Sequence, residues 1–210
     1  MMDILKELQS KGISTVIDVG ANVGDMTAIY QTWNPKRLIA IEPVQQHHST
    51  IKGKAPQAEI IGAAVGSKNG SCEMRILGKG SGIDMGLMTG SLMLIEQKWI
   101  PPTNPEDVFV VPMITIDSLN IEDLSFMKID VEGYESEVLL GAKETLHRCQ
   151  PIIQMEVHTG IDPAFSQQMT DHSCQLSELI QHALTEVGYD VVEIYENQWF
   201  LQKMENDGGF

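Results

Sequence analysis

Hydrophobic positions along this chain follow two rhythms, short Val/Ile-rich runs and helical stripes, and the two take turns from end to end. Ser14–Gly20 reads as a first strand, with a helix from about Gly24 to Trp33. Arg37–Glu42 reads as a second strand, closed by Pro43, and a helix should follow it. Glu59–Val65, "EIIGAAV", is predicted as a third strand, Phe126–Val131 as a fourth and Pro151–Val157 as a fifth. Between the last two, Val138, Leu139, Ala142 and Leu146 share one helical face. This alternation predicts a mostly parallel sheet covered by helices on both faces.

The C-terminal third carries the clearest pattern. Leu176, Leu179, Ile180, Ala183, Leu184 and Val187 recur at i, i+3, i+4, i+7, i+8 and i+11, one apolar stripe that Gly188 should end. "YDVVEIYENQWFLQK" then reads as two strands about a turn at Glu196–Asn197, which adds an antiparallel strand to the sheet. "SCEMRIL" and "DVFVVPMI" read as extra strands, a hairpin with Gly78–Asp107 at its tip. Residues 78–107 and 158–172 are loop-like, long enough for lids over a substrate or for subunit contact. Residues 1–12 fit a short amphipathic helix, and the whole of 1–210 is expected to form a single domain.

Composition narrows the function. The start lacks the basic and apolar regions of a signal peptide, and no apolar run approaches a membrane span, so a cytoplasmic chain without a membrane partner is expected. The three cysteines are scattered, with no CxxC pair. A net charge of −15 without a basic stripe argues against nucleic acid as partner and suits a small neutral or cationic ligand. The Met/Leu stretch Met85–Ile95 leaves a homodimer open.

In open α/β sheets, ligands settle at the carboxyl ends of the strands, beside the first strand-to-helix turn. "DVGANVG" occupies that place: Gly20 lets a ligand lie against the backbone, Gly24 opens the helix, and Asp18 adds an acceptor. The spacing is not the G-x-G-x-x-G of pyrophosphate binders, and an acid there would repel a diphosphate. An ammonium- or sulfonium-bearing ligand fits better. Glu42, ending the second strand, can accept both hydroxyls of a ribose.

"VIDVGANVGDMT", "IEP", "AAVG" and above all "TIDSLNIEDLSFMKIDVEGYESEVLLGA" resemble the FkbM-type family of S-adenosylmethionine-dependent methyltransferases, from about residue 14 to about 158. The resemblance implies the class I methyltransferase fold, a Rossmann-like, seven-stranded sheet whose last strand is antiparallel. It also implies S-adenosylmethionine as cofactor, S-adenosylhomocysteine as product, and O-methylation of a small-molecule hydroxyl on a sugar or secondary metabolite. By this resemblance Asp18, Gly20, Ala21 and Asn22 would line the methionine part. Glu42 would hold the ribose, Ala64 and Val65 would flank the adenine, and Asp130 would lie near the methionine amino end and sulfur. Thr27 is a looser contact, and Gly24 and Pro43 complete the cofactor set at the ends of the same two turns.

Strand alternation puts Lys128, Asp130 and Glu132 on one face, and Gln154, Glu156 and His158 on one face of the neighbouring strand. Lys128, deeper in, needs a carboxylate partner. His158 is the candidate general base that takes the acceptor's proton, with Glu132 or Glu156 orienting it. The same carboxylates are hard ligand types that could hold a divalent metal, although none is expected. His47 and His48 begin a helix in polar company and read as solvated. Two rival readings stay open: an NAD-dependent oxidoreductase, and a non-catalytic scaffold that retains the cofactor-binding fold.

Overall fold

Val16, Ile17 and Val19 are enclosed on both faces, so the strand that carries them can only run through the middle of a sheet. In the computed structural model this strand, β1 (Thr15–Val19), lies between β2 (Arg37–Ile41) and β8 (Leu124–Ile129), parallel to both. The structure describes residues 6, 8, 10, 12–77, 89–91, 108–131, 133–156, 178–195 and 198–204. Seven strands form the main sheet in the order β3-β2-β1-β8-β9-β11-β10, where β3 is Glu59–Ile61, β9 is Ile152–Glu156, β10 is Tyr189–Tyr195 and β11 is Gln198–Lys203. β11 runs antiparallel to both of its neighbours, β9 and β10, as the hairpin pattern predicts.

Alternation along these strands divides the core into two layers. Ile17, Val19, Ile39, Ile41, Met127, Ile129, Ile153 and Met155 face one side, against Val138 and Leu139 of α3 (Glu135–Leu140), Leu146 of α4 (Lys143–Cys149) and the stripe of α5 (178–187). Gly188, at φ +67°, ends α5 in the left-handed conformation expected of a C′ glycine. Val16, Leu38, Ala40, Phe126 and Ile152 face the other side, with Leu8, Tyr30 and Ile51. Tyr30 belongs to α1 (Asp25–Gln31) and Ile51 to α2 (His48–Lys54). The polar residues Asp18, Lys128 and Gln154 stand on this second face, in register across β1, β8 and β9.

One predicted strand is broken. "EIIGAAV" does not run straight: β3 ends at Ile61, and Ala63 N–H closes a tight turn onto the Ile61 carbonyl at 3.1 Å. The chain then enters a second sheet as β4 (Ala64–Val65). Gly62 sits at the break, where an added Cβ would stand 3.0 Å from the His48 ring. The second sheet has the order β4-β7-β5-β6, with β5 (Gly70–Leu77) antiparallel to both β6 (Thr89–Ser91) and β7 (Val108–Ile114). The predicted hairpin is therefore present and is extended on both sides. Apart from 89–91, the loop at 78–107 lies outside the described residues, as does the segment 158–172. Among the described residues no helix is long and apolar enough to cross a membrane.

The turn between α3 and α4 packs on the end of β4 at a glycine contact, where a Cβ on Gly141 would fall 2.0 Å from the Gly66 carbonyl oxygen. Gly141→Ala should therefore cost about 1–3 kcal/mol of unfolding free energy through overpacking. Gly53→Ala, in the last turn of α2 with nothing within 4 Å among the described residues, should instead stabilise by up to roughly 0.5–1 kcal/mol. Denaturant titration of both variants checks the contrast.

Candidate functional site

The turn after β1 is built for close approach. Gly20 (φ +76°), Asn22 (φ +49°) and Gly24 (φ +82°) all take left-handed conformations, and Gly20 N–H and Ala21 N–H both donate to the Ile41 carbonyl, at 3.0 and 3.1 Å. A Cβ on Gly20 would stand 1.9 Å from the Asp130 carbonyl oxygen, so the turn rests directly on the end of β8. Gly24 precedes α1, and a Cβ there would press on Ile51 at 3.0 Å.

Beneath this turn lies a charge cluster. Asp18 is fully enclosed: its Oδ2 accepts from the Thr27 hydroxyl at 2.6 Å, and its Oδ1 stands 3.6 Å from Lys128 Nζ. Lys128 Nζ also donates to Asp130 Oδ2 at 2.9 Å and to the Gly20 carbonyl at 3.4 Å. The sequence demanded a carboxylate partner for Lys128, and the fold supplies two. Burial disfavours charge on Lys128, but Asp18 and Asp130 outweigh it and hold its pKa above the ordinary lysine value. Side-chain exposure rises from 0% at Asp18 through 6% at Lys128 to 24% at Asp130, so Asp130 is the member of the cluster that reaches the surface.

On the other side of the turn, Glu42 is clamped by the backbone. Asn22 N–H donates to its Oε2 and Val44 N–H to its Oε1, both at 2.8 Å. Burial raises its pKa, and those two donors offset the rise only in part. Both histidines that the sequence placed in solvent attend this residue. His48 Nε2 lies 2.7 Å from the Glu42 carbonyl oxygen, and His47 is buried with its Nδ1 3.6 Å from Oε1. The 3₁₀ turn Gln45–His47 folds the His47 ring inward, an outcome of loop closure rather than of local polarity.

A cleft of about 460 Å³ opens beside Glu42, lined by half-buried Pro43, by Gln45, Gln46, His48 and Gly62, and by Phe109–Pro112 of β7. Ala64 and Val65 are themselves buried in β4, so Gly62 and β7 present the surface at this point.

The family pattern for the Methyltransferase FkbM domain matches residues 18–191. This chain belongs to the FkbM methyltransferase family. Among solved structures, the methyltransferase FkbM from Methylobacillus flagellatus KT superimposes with a TM-score of 0.57 at 15% identity, covering 90% of this chain and 43% of that one. The chain thus spans less than half the length of that relative. A proposed caffeoyl-CoA O-methyltransferase from Staphylococcus aureus gives 0.55 at 10% identity, covering 97% of this chain and 82% of that one. A proposed S-adenosylmethionine-dependent methyltransferase from Listeria monocytogenes gives 0.52 at 11%, covering 97% of each. The shared architecture is the Rossmann-like fold of class I methyltransferases. No curated protein matches the sequence significantly.

The FkbM block "KIDVEGYESEVLLGA" also organises the loop after β8. Glu135 is buried, and its Oε1 accepts from Val131 N–H at 3.2 Å and Gly133 N–H at 3.1 Å, while burial raises its pKa. Sequence reasoning missed this residue; the signal was an acid within the family's most specific block. Glu156 lies half-buried at the end of β9, where its charge adds to the field on Lys128. Glu132 and His158 lie outside the described residues. Among the described residues no group of three or more His, Cys, Asp or Glu is placed to hold a metal ion.

The bond from Thr27 to Asp18 is a fully enclosed link between α1 and β1. Thr27→Val keeps the shape and strands a buried carboxylate oxygen, at an expected cost of about 1–3 kcal/mol in denaturant unfolding. Thr27→Ser should recover most of that loss.

Proposed function

We propose that this FkbM-family chain binds S-adenosylmethionine across the turn at residues 20–24 and methylates a hydroxyl of a sugar or secondary metabolite. The observation that carries the reading is the pair of acids flanking that turn, Glu42 fixed by two backbone N–H groups and Asp130 fixed by Lys128. Each carboxylate oxygen of Glu42 accepts one backbone donor, which leaves lone pairs for the two ribose hydroxyls. Its raised pKa marks a buried charge short of donors, which those hydroxyls would supply. Asn22 Oδ1 is likewise a buried acceptor without a partner among the described residues. Asp130 offers a partly open carboxylate to the α-ammonium, and the cleft at Pro43 and Gly62 takes the adenine.

When bound, the cofactor supplies a methyl group already activated by a sulfonium. The chain's own work is to bring the acceptor oxygen into line and to exclude water. A hydroxyl must also lose its proton. His158 is the proposed base, oriented by Glu132 or Glu156, and a positioned base contributes about 10²–10⁴-fold. No step needs a divalent metal. A net charge of −15 favours a neutral or cationic acceptor over a polyphosphate.

Calorimetry with S-adenosylhomocysteine tests the cofactor site: the wild type should bind, and Glu42→Ala should weaken binding about tenfold or more. Because protonation removes an acceptor from Glu42, affinity should fall with falling pH, beginning above its ordinary value of 4.5. Against a panel of hydroxylated acceptors, His158→Ala should lower kcat about 10²–10⁴-fold, and EDTA should leave turnover unchanged. Wild-type protein that takes up neither the donor nor its demethylated product would overturn the proposal.

A further inference from the structure

Among the described residues, Lys128 makes no surface contact and caps no helix. Its ammonium is buried at the junction of four pieces of chain: β1 through Asp18, the turn through the Gly20 carbonyl, the end of β8 through Asp130, and α1 through the Thr27–Asp18 bond. Asp18 and Lys128 are direct register partners on adjacent strands, so the spacing is set by the sheet itself. Two carboxylates share one ammonium, which leaves the cluster with one net negative charge, and only Asp130 carries it toward the surface.

We propose that Lys128 is a positioning residue that selects for the amino-acid tail of the methyl donor, by locking one oxygen of Asp130 inward so that the other faces the tail's ammonium. The inference rests on the donor-binding reading above. Lys128 holds Asp130 Oδ2 at 2.9 Å and so fixes the carboxylate's rotation. Without it, Asp18 and Asp130 repel each other across a buried gap, and the Asp130 carboxylate loses the contact that fixes its rotation. That loss weakens the acceptor offered to a charged tail, while the ribose acid Glu42, on the far side of the turn, keeps both of its backbone donors.

The test compares two ligands that share adenosine and a thioether and differ in the tail: S-adenosylhomocysteine, which has the amino-acid end, and 5′-deoxy-5′-methylthioadenosine, which lacks it. The preference of wild-type protein for the first ligand is the readout. Lys128→Met should reduce that preference about tenfold, the worth of one charge-assisted hydrogen bond, and leave the affinity for methylthioadenosine close to that of the wild type. Asp18→Asn/Lys128→Met keeps the cluster at one negative charge and should show the same loss, so it decides the matter if the single variant does not fold. A preference that is unchanged or larger, or equal weakening of both ligands, overturns the role given to Lys128. Failure of wild-type protein to bind either ligand overturns the donor-binding reading itself.

Discussion

An ammonium group buried beneath a backbone turn is the constraint on which this structure depends. Taking Lys128 out of water is costly unless carboxylates answer it; the end of its own strand brings Asp130 at 2.9 Å, and the neighbouring strand brings Asp18 at 3.6 Å. The parallel pairing of β1 with β8 puts Asp18 opposite Lys128, and Thr27 then fixes Asp18 from above. The turn that carries the site is thereby tied to strands more than a hundred residues apart in sequence. Gly20 is part of the same constraint, since any side chain there would strike the Asp130 carbonyl.

That arrangement separates two kinds of acid at the carboxyl edge of the sheet. Asp18 is enclosed by the fold, bonded to Thr27 and paired with Lys128. Asp130 and Glu42 are each half satisfied, one by an ammonium and the other by backbone N–H groups, and each stands at one end of a turn with little side-chain bulk. Such a pair can receive a ligand with hydroxyls at one end and a cation at the other. A diphosphate would meet negative charge at both ends. The same distinction separates this turn from the glycine-rich turns of dinucleotide-binding proteins, and it agrees with membership of a methyltransferase family.

The second sheet adds a wall that the main sheet could not supply. β3 and β4 belong to different sheets, and the break between them lies at Gly62, where a side chain would press on the His48 ring. β7 then stands across from Pro43 and Gly62 to enclose the cleft. Its register with β4 and β5 is fixed by backbone pairing, so the position of Phe109–Pro112 follows from residues far from the site.

The alternation of apolar runs by itself determined the parallel core, the helices on both faces and the terminal antiparallel hairpin, because burial on a sheet or helix face leaves a period that needs no tertiary information. Local spacing likewise marked Asp18, Gly20, Glu42 and Asp130, since strand ends and glycine turns are short-range features. The tertiary structure alone decided which acids are enclosed and which are open, since that depends on strand register: Asp18 and Asp130 look alike in sequence, and only pairing across β1 and β8 sets them apart. It also decided that "EIIGAAV" splits between two sheets, that His47 turns inward toward Glu42, and that Glu135 caps the loop after β8. Each of these is fixed by contact with a segment distant in the chain, which no local pattern records.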